Sequence, residues 1–176
     1  MRYAAFLRAV NLGRNRRVTS AQLKEMFEAA GAEEVATFRT SGNVVFEASR
    51  DMAKAIEAEL EKTLGYEVVI FLRTAKELEE IATATPFPAK EVDASKGKLQ
   101  VTLLDSKPTA AVKKKVLALA TEDNRLAFGK RELYWLPSGG TQNAAIGRVD
   151  FEKLLGPTTM RTKGTVELLA AKFFGG

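Results

Sequence analysis

Hydrophobic residues recur along the chain with the period of a strand in some stretches and of a helix in others. In the first 74 residues these stretches follow the order β-α-β-β-α-β. They predict a strand over 2–8, a helix from the Thr19–Gln22 capping box to Gly31, strands over 35–39 and 44–47, a helix from about 51 to Gly65, and a strand over 66–72. This order is that of a ferredoxin-like lobe, in which a β-α-β unit is split by another strand.

The same order of elements recurs after residue 97. The pattern predicts a strand over 98–105, a helix from Ser106 to about 120, a hairpin of 125–128 with 133–136, a helix near 149–155, a strand near 158–161 and a closing helix over 165–174. We therefore predict an α+β protein of two tandem ferredoxin-like lobes with antiparallel sheets. The predicted divisions are lobe 1 over 1–74, a connecting helix and proline-containing linker over 75–97, and lobe 2 with its C-terminal helix over 98–176.

Both faces of the predicted first sheet are apolar. Tyr3, Ala5 and Leu7 point to one face, whereas Ala4 and Phe6 point to the other. The two helices of a lobe cover only one face, so we expect the second lobe or the connecting helix to cover the other. A free sheet surface for stacking bases is therefore not expected.

The composition limits which catalytic and metal-binding groups the chain can supply. The chain has no cysteine and no histidine, which excludes disulfides and thiolate chemistry and removes the usual acid–base group at neutral pH. Catalysis would depend on carboxylates, lysine, tyrosine, hydroxyls or a metal ion held by oxygens, so the sequence disfavours an enzyme. Its apolar runs are too short to span a bilayer, and Arg2 interrupts any signal-peptide core, which predicts a cytoplasmic protein without membrane contact.

The segment from Arg8 to Arg17 is the first candidate ligand site. It combines arginines with an amide and a glycine between a strand end and a helix start, where phosphate-binding loops lie. The candidate residues are Arg8, Asn11, Gly13, Arg14, Arg16 and Arg17. The net charge of +5 admits an anionic ligand, although the basic residues are spread along the chain. The alternative is a solvated loop in which Gly13 forms a turn.

Two further segments carry candidate residues. Ser41, Gly42 and Asn43 form a hairpin-type turn whose polar atoms could also contact a ligand, but a serine nucleophile would lack a base. The glycine-rich stretch 137–148 could form an anion-binding nest without the pattern of a nucleotide P-loop, and a structural loop is the favoured alternative. Arg148, Arg161 and Lys163 are expected to share a surface with it.

The run Tyr3–Arg8, Asn11, Gly13 and the later Ser41-Gly42-Asn43-Val44-Val45-Phe46 resembles the bacterial domain-of-unknown-function-1697 family. The resemblance implies two ferredoxin-like lobes and brings no established activity. Family members tend to have Gly-Arg-Ser-Lys and Arg-Asn-Trp segments near the C-terminus. Gly147, Arg148 and Arg161 match these segments, whereas Val149, Asp150, Thr162 and Lys163 depart from them, which implies a different ligand, or none, if those segments form a site.

The leading hypothesis is a binding protein for a phosphate-bearing ligand, either a nucleotide or a nucleic acid. One alternative is a small magnesium-dependent enzyme acting on a phosphorylated substrate, for which the sequence assembles no acid–base pair. Another is an RNA-recognition-like module, but the third strand lacks the expected aromatic residues. A protein–protein adaptor is the last alternative. The sequence indicates no cofactor, metal site or oligomeric state.

Overall fold

The computed structural model describes residues 1–8, 18–39, 42–139 and 151–175. Within these ranges the protein is a mixed α+β structure with two four-stranded antiparallel sheets and seven helices. The strands are β1 (Arg2–Arg8), β2 (Glu33–Thr37), β3 (Asn43–Glu47), β4 (Val69–Thr74), β5 (Gln100–Leu104), β6 (Asn124–Phe128), β7 (Glu132–Pro137) and β8 (Thr158–Thr162). The helices are α1 (Ser20–Ala29), α2 (Ala53–Leu64), α3 (Ala75–Thr83), α4 (Ala89–Ala94), α5 (Ala110–Leu117), α6 (Glu152–Leu155) and α7 (Lys163–Phe173).

The predicted helix ends are largely confirmed. At α1, Thr19 Oγ1 accepts a hydrogen bond from the Gln22 N–H, and Gln22 Oε1 accepts one from the Thr19 N–H, which completes the predicted capping box. Helix α2 ends at Gly65, which adopts the left-handed conformation. The start of α5 was predicted at Ser106, but its cap is Thr109, whose Oγ1 accepts from the Val112 N–H at 3.2 Å.

Two other predictions differ from the structure. The last strand of the first sheet was predicted over 66–72, whereas β4 covers Val69–Thr74 and leads directly into α3, which begins at Ala75. The predicted linker contains a short helix, α4, which begins after Pro88. Pro88 is the residue immediately before this helix, with the fixed φ of proline at −55°, so a proline that marks a linker in sequence here also marks the start of a helix.

Each sheet places its first strand in an inner position. The orders are β2-β3-β1-β4 and β6-β7-β5-β8, with every neighbouring pair antiparallel. In the first sheet, Phe6 lies opposite Asn43 of β3 and Phe71 of β4. The pairing fixes β1 on both sides and brings its last residues to the first residues of β3.

The first sheet is buried on both faces, as the apolar pattern predicts. Tyr3, Ala5 and Leu7 belong to a core that also includes residues of α1 and α2. Within it, the ring of Phe46 lies 5.6 Å from both Tyr3 and Phe27. On the opposite face, Ala4 and Phe6 are fully buried.

The second sheet has its own core. Leu104, Val116, Leu133 and Trp135 are among its buried residues. The indole N–H of Trp135 donates to Asn124 Oδ1 at 3.0 Å, so the polar edge of the ring is paired within the core.

The chain divides into two compact units. The first contains residues 1–79 and 171–176, and the second contains residues 80–170. These bounds differ from the lobes drawn from sequence order, because the end of α7 packs with the first sheet: Arg2 Nη1 donates to the Phe173 carbonyl at 2.7 Å, and the Phe173 ring lies 6.1 Å from Phe38.

The side chain of Lys163, the first residue of α7, is buried against the C-terminal end of α3. The side chain of Lys163 is only 8% exposed, and its Nζ donates to the Ala82 carbonyl at 3.0 Å and to Glu167 Oε1 at 2.6 Å. The last turn of α3 has no basic residue of its own, and a cation is favourable beside the carbonyls at a helix C-terminus. The expectation that Lys163 lies on a ligand surface is therefore wrong: this departure from the family pattern is buried and has a structural role.

No helix in the described part of the chain has the length and apolar character needed to cross a membrane.

We predict that Lys163→Met lowers the free energy of unfolding by about 1–3 kcal/mol, because methionine keeps the apolar stem but leaves the Ala82 carbonyl without its charged donor. The measurement is urea unfolding followed by circular dichroism. Lys153→Met removes an exposed lysine from α6 and should change stability by less than about 0.5 kcal/mol. Equal effects of the two substitutions would contradict the role given to Lys163.

Gly42 and Gly65 form a matched pair for a second prediction. Both have φ near +80°, but a Cβ on Gly42 would lie 3.2 Å from Leu7 Cβ, whereas a Cβ on Gly65 would meet nothing within 4 Å. Gly65→Ala should cost about 1–2 kcal/mol of unfolding free energy from backbone strain alone. Gly42→Ala should cost about 1 kcal/mol more, because Leu7 must also move. Urea unfolding of both variants would refute the close contact if Gly42→Ala cost no more than Gly65→Ala.

Candidate ligand-binding site

Three of the candidate residues meet at one end of the first sheet. The Leu7 N–H donates to the Gly42 carbonyl at 2.8 Å, so the end of β1 lies against the residue that precedes β3. Arg8, which is half-buried, ends β1, and Asn43 begins β3. We call this place the β1–β3 end, defined by Leu7, Arg8, Gly42 and Asn43.

Gly42 allows the two strands to approach this closely. Its φ of +80° lies in the left-handed region, which residues with a Cβ adopt at a cost. The ideal Cβ position is 3.2 Å from Leu7 Cβ and 3.4 Å from the Leu7 carbonyl oxygen. The glycine in the predicted turn is therefore required by both its backbone conformation and its contact with β1.

Asn43 shapes the turn from inside. The residue is fully buried, and its Nδ2 donates to the Phe38 carbonyl at 3.0 Å while its own carbonyl accepts from the Phe38 N–H at 2.9 Å. These two bonds fix the residue after β2 against the start of β3. Asn43 thus positions the turn through its amide.

Two segments rich in candidate residues continue from the β1–β3 end. Residues 9–17 follow Arg8 directly, and Thr40 and Ser41 precede Gly42. The far end of the first segment is anchored by Val18, which is buried in the core, and by Thr19, which caps α1. Seven candidates lie outside the described residues, namely Asn11, Gly13, Arg14, Arg16, Arg17, Ser41 and Arg148.

A group of aromatic and cationic side chains borders the β1–β3 end. We call it the Phe38–Phe173 cluster; it consists of Phe38, Arg39, Lys172 and Phe173. The two rings meet edge to face, with centroids 6.1 Å apart. The Arg39 guanidinium lies 5.5 Å from the centroid of Phe38, and Lys172 Nζ lies 5.8 Å from Phe38 and 5.3 Å from Phe173. Both rings are half-buried and both cations are exposed.

Sequence reasoning missed this cluster. Phe38 and Arg39 fall within a predicted strand, and Lys172 and Phe173 fall within the closing helix, more than 130 residues later. Helical and strand periods report which face of an element is buried and give no information on which distant elements meet. Arg39 also has a positive φ of 59°, which no local pattern of the sequence signals.

Arg161 lies in β8 of the second sheet. Its Nη1 donates to Thr159 Oγ1 at 2.8 Å and to the Met160 carbonyl at 2.9 Å. Burial lowers the pKa of Arg161 to about 10, because a charged group loses hydration there. The guanidinium therefore stays protonated at neutral pH, and its described bonds hold it along its own strand.

The second unit contains a cavity of about 260 Å³ between the end of α3 and the β6–β7 hairpin. Lys130 Nζ donates to both carboxylate oxygens of Glu80 at its rim, at 2.9 and 3.0 Å. The buried Glu132 carboxylate accepts from the Arg131 N–H at 2.9 Å. Within the described residues, no three acidic side chains converge into a group that could hold a metal ion.

Comparisons with known proteins agree with this fold. A conserved bacterial protein, SP0830 from Streptococcus pneumoniae, has a similar structure, with a TM-score of 0.78, 20% sequence identity and coverage of 98% of each chain. No curated protein sequence matches the chain. The family described as "Protein of unknown function (DUF1697)" matches residues 1–134, well over half of the sequence. The resemblance noted in the sequence is thereby confirmed: the chain belongs to the DUF1697 family.

Proposed function

We propose that the protein binds a phosphate-bearing ligand, a nucleotide or a nucleic acid, at the β1–β3 end. The observation that carries the proposal is the hydrogen bond from Leu7 to Gly42. It joins the start of the segment containing Arg14, Arg16 and Arg17 to the end of the segment containing Ser41. Two stretches that are far apart in sequence therefore leave the same point of the sheet.

The charge at this end suits an anion. Arg8 ends β1, and the exposed Arg39 guanidinium lies 5.5 Å from the centroid of Phe38. Three more arginines follow in residues 9–17. Guanidinium groups form paired hydrogen bonds with phosphate oxygens, and such charge-assisted bonds are about twice as strong as neutral ones.

Arginine side chains are more important for this proposal than the N-terminus of α1. The Thr19 and Gln22 N–H groups are already engaged in the capping box, so these two donors are not available to a phosphate. The helix dipole contributes only about 0.3–1 kcal/mol at an exposed terminus, whereas a hydrogen bond to a charged group is worth about 1.5–3 kcal/mol.

We also infer that each unit is a ferredoxin-like lobe. The order β-α-β-β-α-β in each half and the sheet orders β2-β3-β1-β4 and β6-β7-β5-β8 support this inference. In such a lobe the first β-α connection and the turn before the third strand leave the same end of the sheet. The topology of such a lobe therefore supports the proposed location of the site independently of the residue types.

We predict that the triple variant Arg14→Ala, Arg16→Ala, Arg17→Ala loses measurable binding of a labelled 12-nucleotide single strand, followed by fluorescence anisotropy at low salt. Its free energy of unfolding should be nearly unchanged. Each phosphate contact on a single strand contributes about 0.7 to the slope of log K against log salt. If weak binding persists, its slope should be lower by about 2.

The matched control is Lys107→Ala, Lys114→Ala, Lys115→Ala, which removes the same charge from exposed positions at and before α5. It should retain nearly all of the affinity. Equal losses in the two triple variants would mean that net charge, and no site at the β1–β3 end, attracts the ligand. Unchanged affinity in the arginine variant would refute the proposal.

A further inference from the structure

We propose that a nucleobase of the ligand stacks on Phe38 in the Phe38–Phe173 cluster, while Arg39 and Lys172 contact the attached phosphates. This inference rests on the proposed function and narrows it: the ligand is a nucleoside phosphate, free or within a single strand, rather than a phosphosugar.

The cluster has the composition of a base-stacking site. Single-stranded nucleic acids and nucleotides are bound where aromatic rings stack bases and nearby cations contact the backbone. Phe38 and Phe173 supply two half-buried rings, and Arg39 and Lys172 supply two exposed cations within 6 Å of the ring centroids. The described part of the second unit has two cation–ring contacts, Lys113 over Phe128 and Arg125 over Phe87. Phe87 is buried, and neither ring is described in contact with a second one.

The cluster is fixed in place by backbone contacts. Phe38 exchanges two hydrogen bonds with Asn43, at 2.9 and 3.0 Å. On the other side, the carbonyl of Phe173 accepts from Arg2, whose Nη2 is also paired with Glu47 at 2.8 Å. The main chains of both aromatic residues are therefore bonded to residues of the first sheet, which keeps their rings beside each other.

Replacement of a cation on the ring by a stacked base should increase the affinity for the ligand. A cation over an exposed aromatic ring is worth about 2- to 5-fold in an equilibrium constant, whereas stacking of a base on such a ring is worth about 5- to 150-fold in affinity. A displaced Arg39 or Lys172 remains tethered next to the ring. It is then in position to contact the phosphate of the stacked nucleotide.

The cluster and the β1–β3 end can act on one ligand. Phe38 lies beside Asn43 of β3, and β3 lies beside β1. Neighbouring strands are about 4.8 Å apart, so Phe38 is about 10 Å from the end of β1. All of these residues belong to the first unit.

The test uses Phe38→Leu, which keeps an apolar side chain at the position and removes the aromatic ring. Four probes are compared by anisotropy or calorimetry: a 12-nucleotide single strand, an abasic strand of the same length, adenosine monophosphate and ribose 5-phosphate. We expect Phe38→Leu to weaken binding of a base-bearing probe by about 5- to 150-fold and to leave the baseless probes unchanged. A loss for adenosine monophosphate indicates a free nucleotide as the ligand, and a loss confined to the strand indicates a nucleic acid.

The control is Phe128→Leu, which removes a half-buried ring with a lysine over it from the second unit. It should bind all four probes as the unaltered protein does. Equal weakening of base-bearing and baseless probes by Phe38→Leu, or no weakening, would overturn the stacking inference while the arginine variant still tests the proposed function. Failure of the unaltered protein to bind any of the four probes would overturn both.

Discussion

The pairing of β1 between β3 and β4 is the constraint on which the first unit depends. Phe6 lies opposite Asn43 on one side and Phe71 on the other, and all three residues are buried. A slip by one residue would exchange the two faces of β1. Because both faces are buried, Tyr3, Ala5 and Leu7 would then have to fit the space that Ala4 and Phe6 fill, and such a mismatch in volume is destabilising. The end of β1 is therefore fixed, and with it the point from which the arginine-rich segment leaves the sheet.

Gly42 and Asn43 bring the start of β3 and Phe38 to the end of β1. Gly42 permits the close approach to Leu7, and the buried amide of Asn43 connects the start of β3 to Phe38. Arg8, Arg39 and the paired rings of Phe38 and Phe173 thus lie near one end of one sheet. Charge attracts many anions with little discrimination, whereas an aromatic ring selects those that bear a base, so the two features would contribute affinity and selectivity separately.

Local signals predicted most of the fold. The capping box at Thr19, the glycine stop at Gly65 and the alternating residues of β1 each act within a few residues and are read directly from sequence. The predicted start of α5 at Ser106 is three residues too early, because serine and threonine are both good N-caps and local sequence does not choose between Ser106 and Thr109. The meeting of Phe38 with Phe173 depends on tertiary packing between distant elements, so no local pattern could predict it. The candidate residues at Arg8, Gly42 and Asn43 were selected from sequence, but their proximity came from strand pairing.

The most direct test of the account is a two-dimensional amide NMR titration of the protein with a 12-nucleotide single strand, because it locates the ligand without any substitution. The account predicts that the largest shifts occur at the amides of Leu7, Arg8, Phe38, Arg39 and Gly42, with little change in the second sheet. Shifts concentrated around Lys130 and the cavity of the second unit would contradict it. They would mean that binding occurs there and that the β1–β3 end is a structural junction.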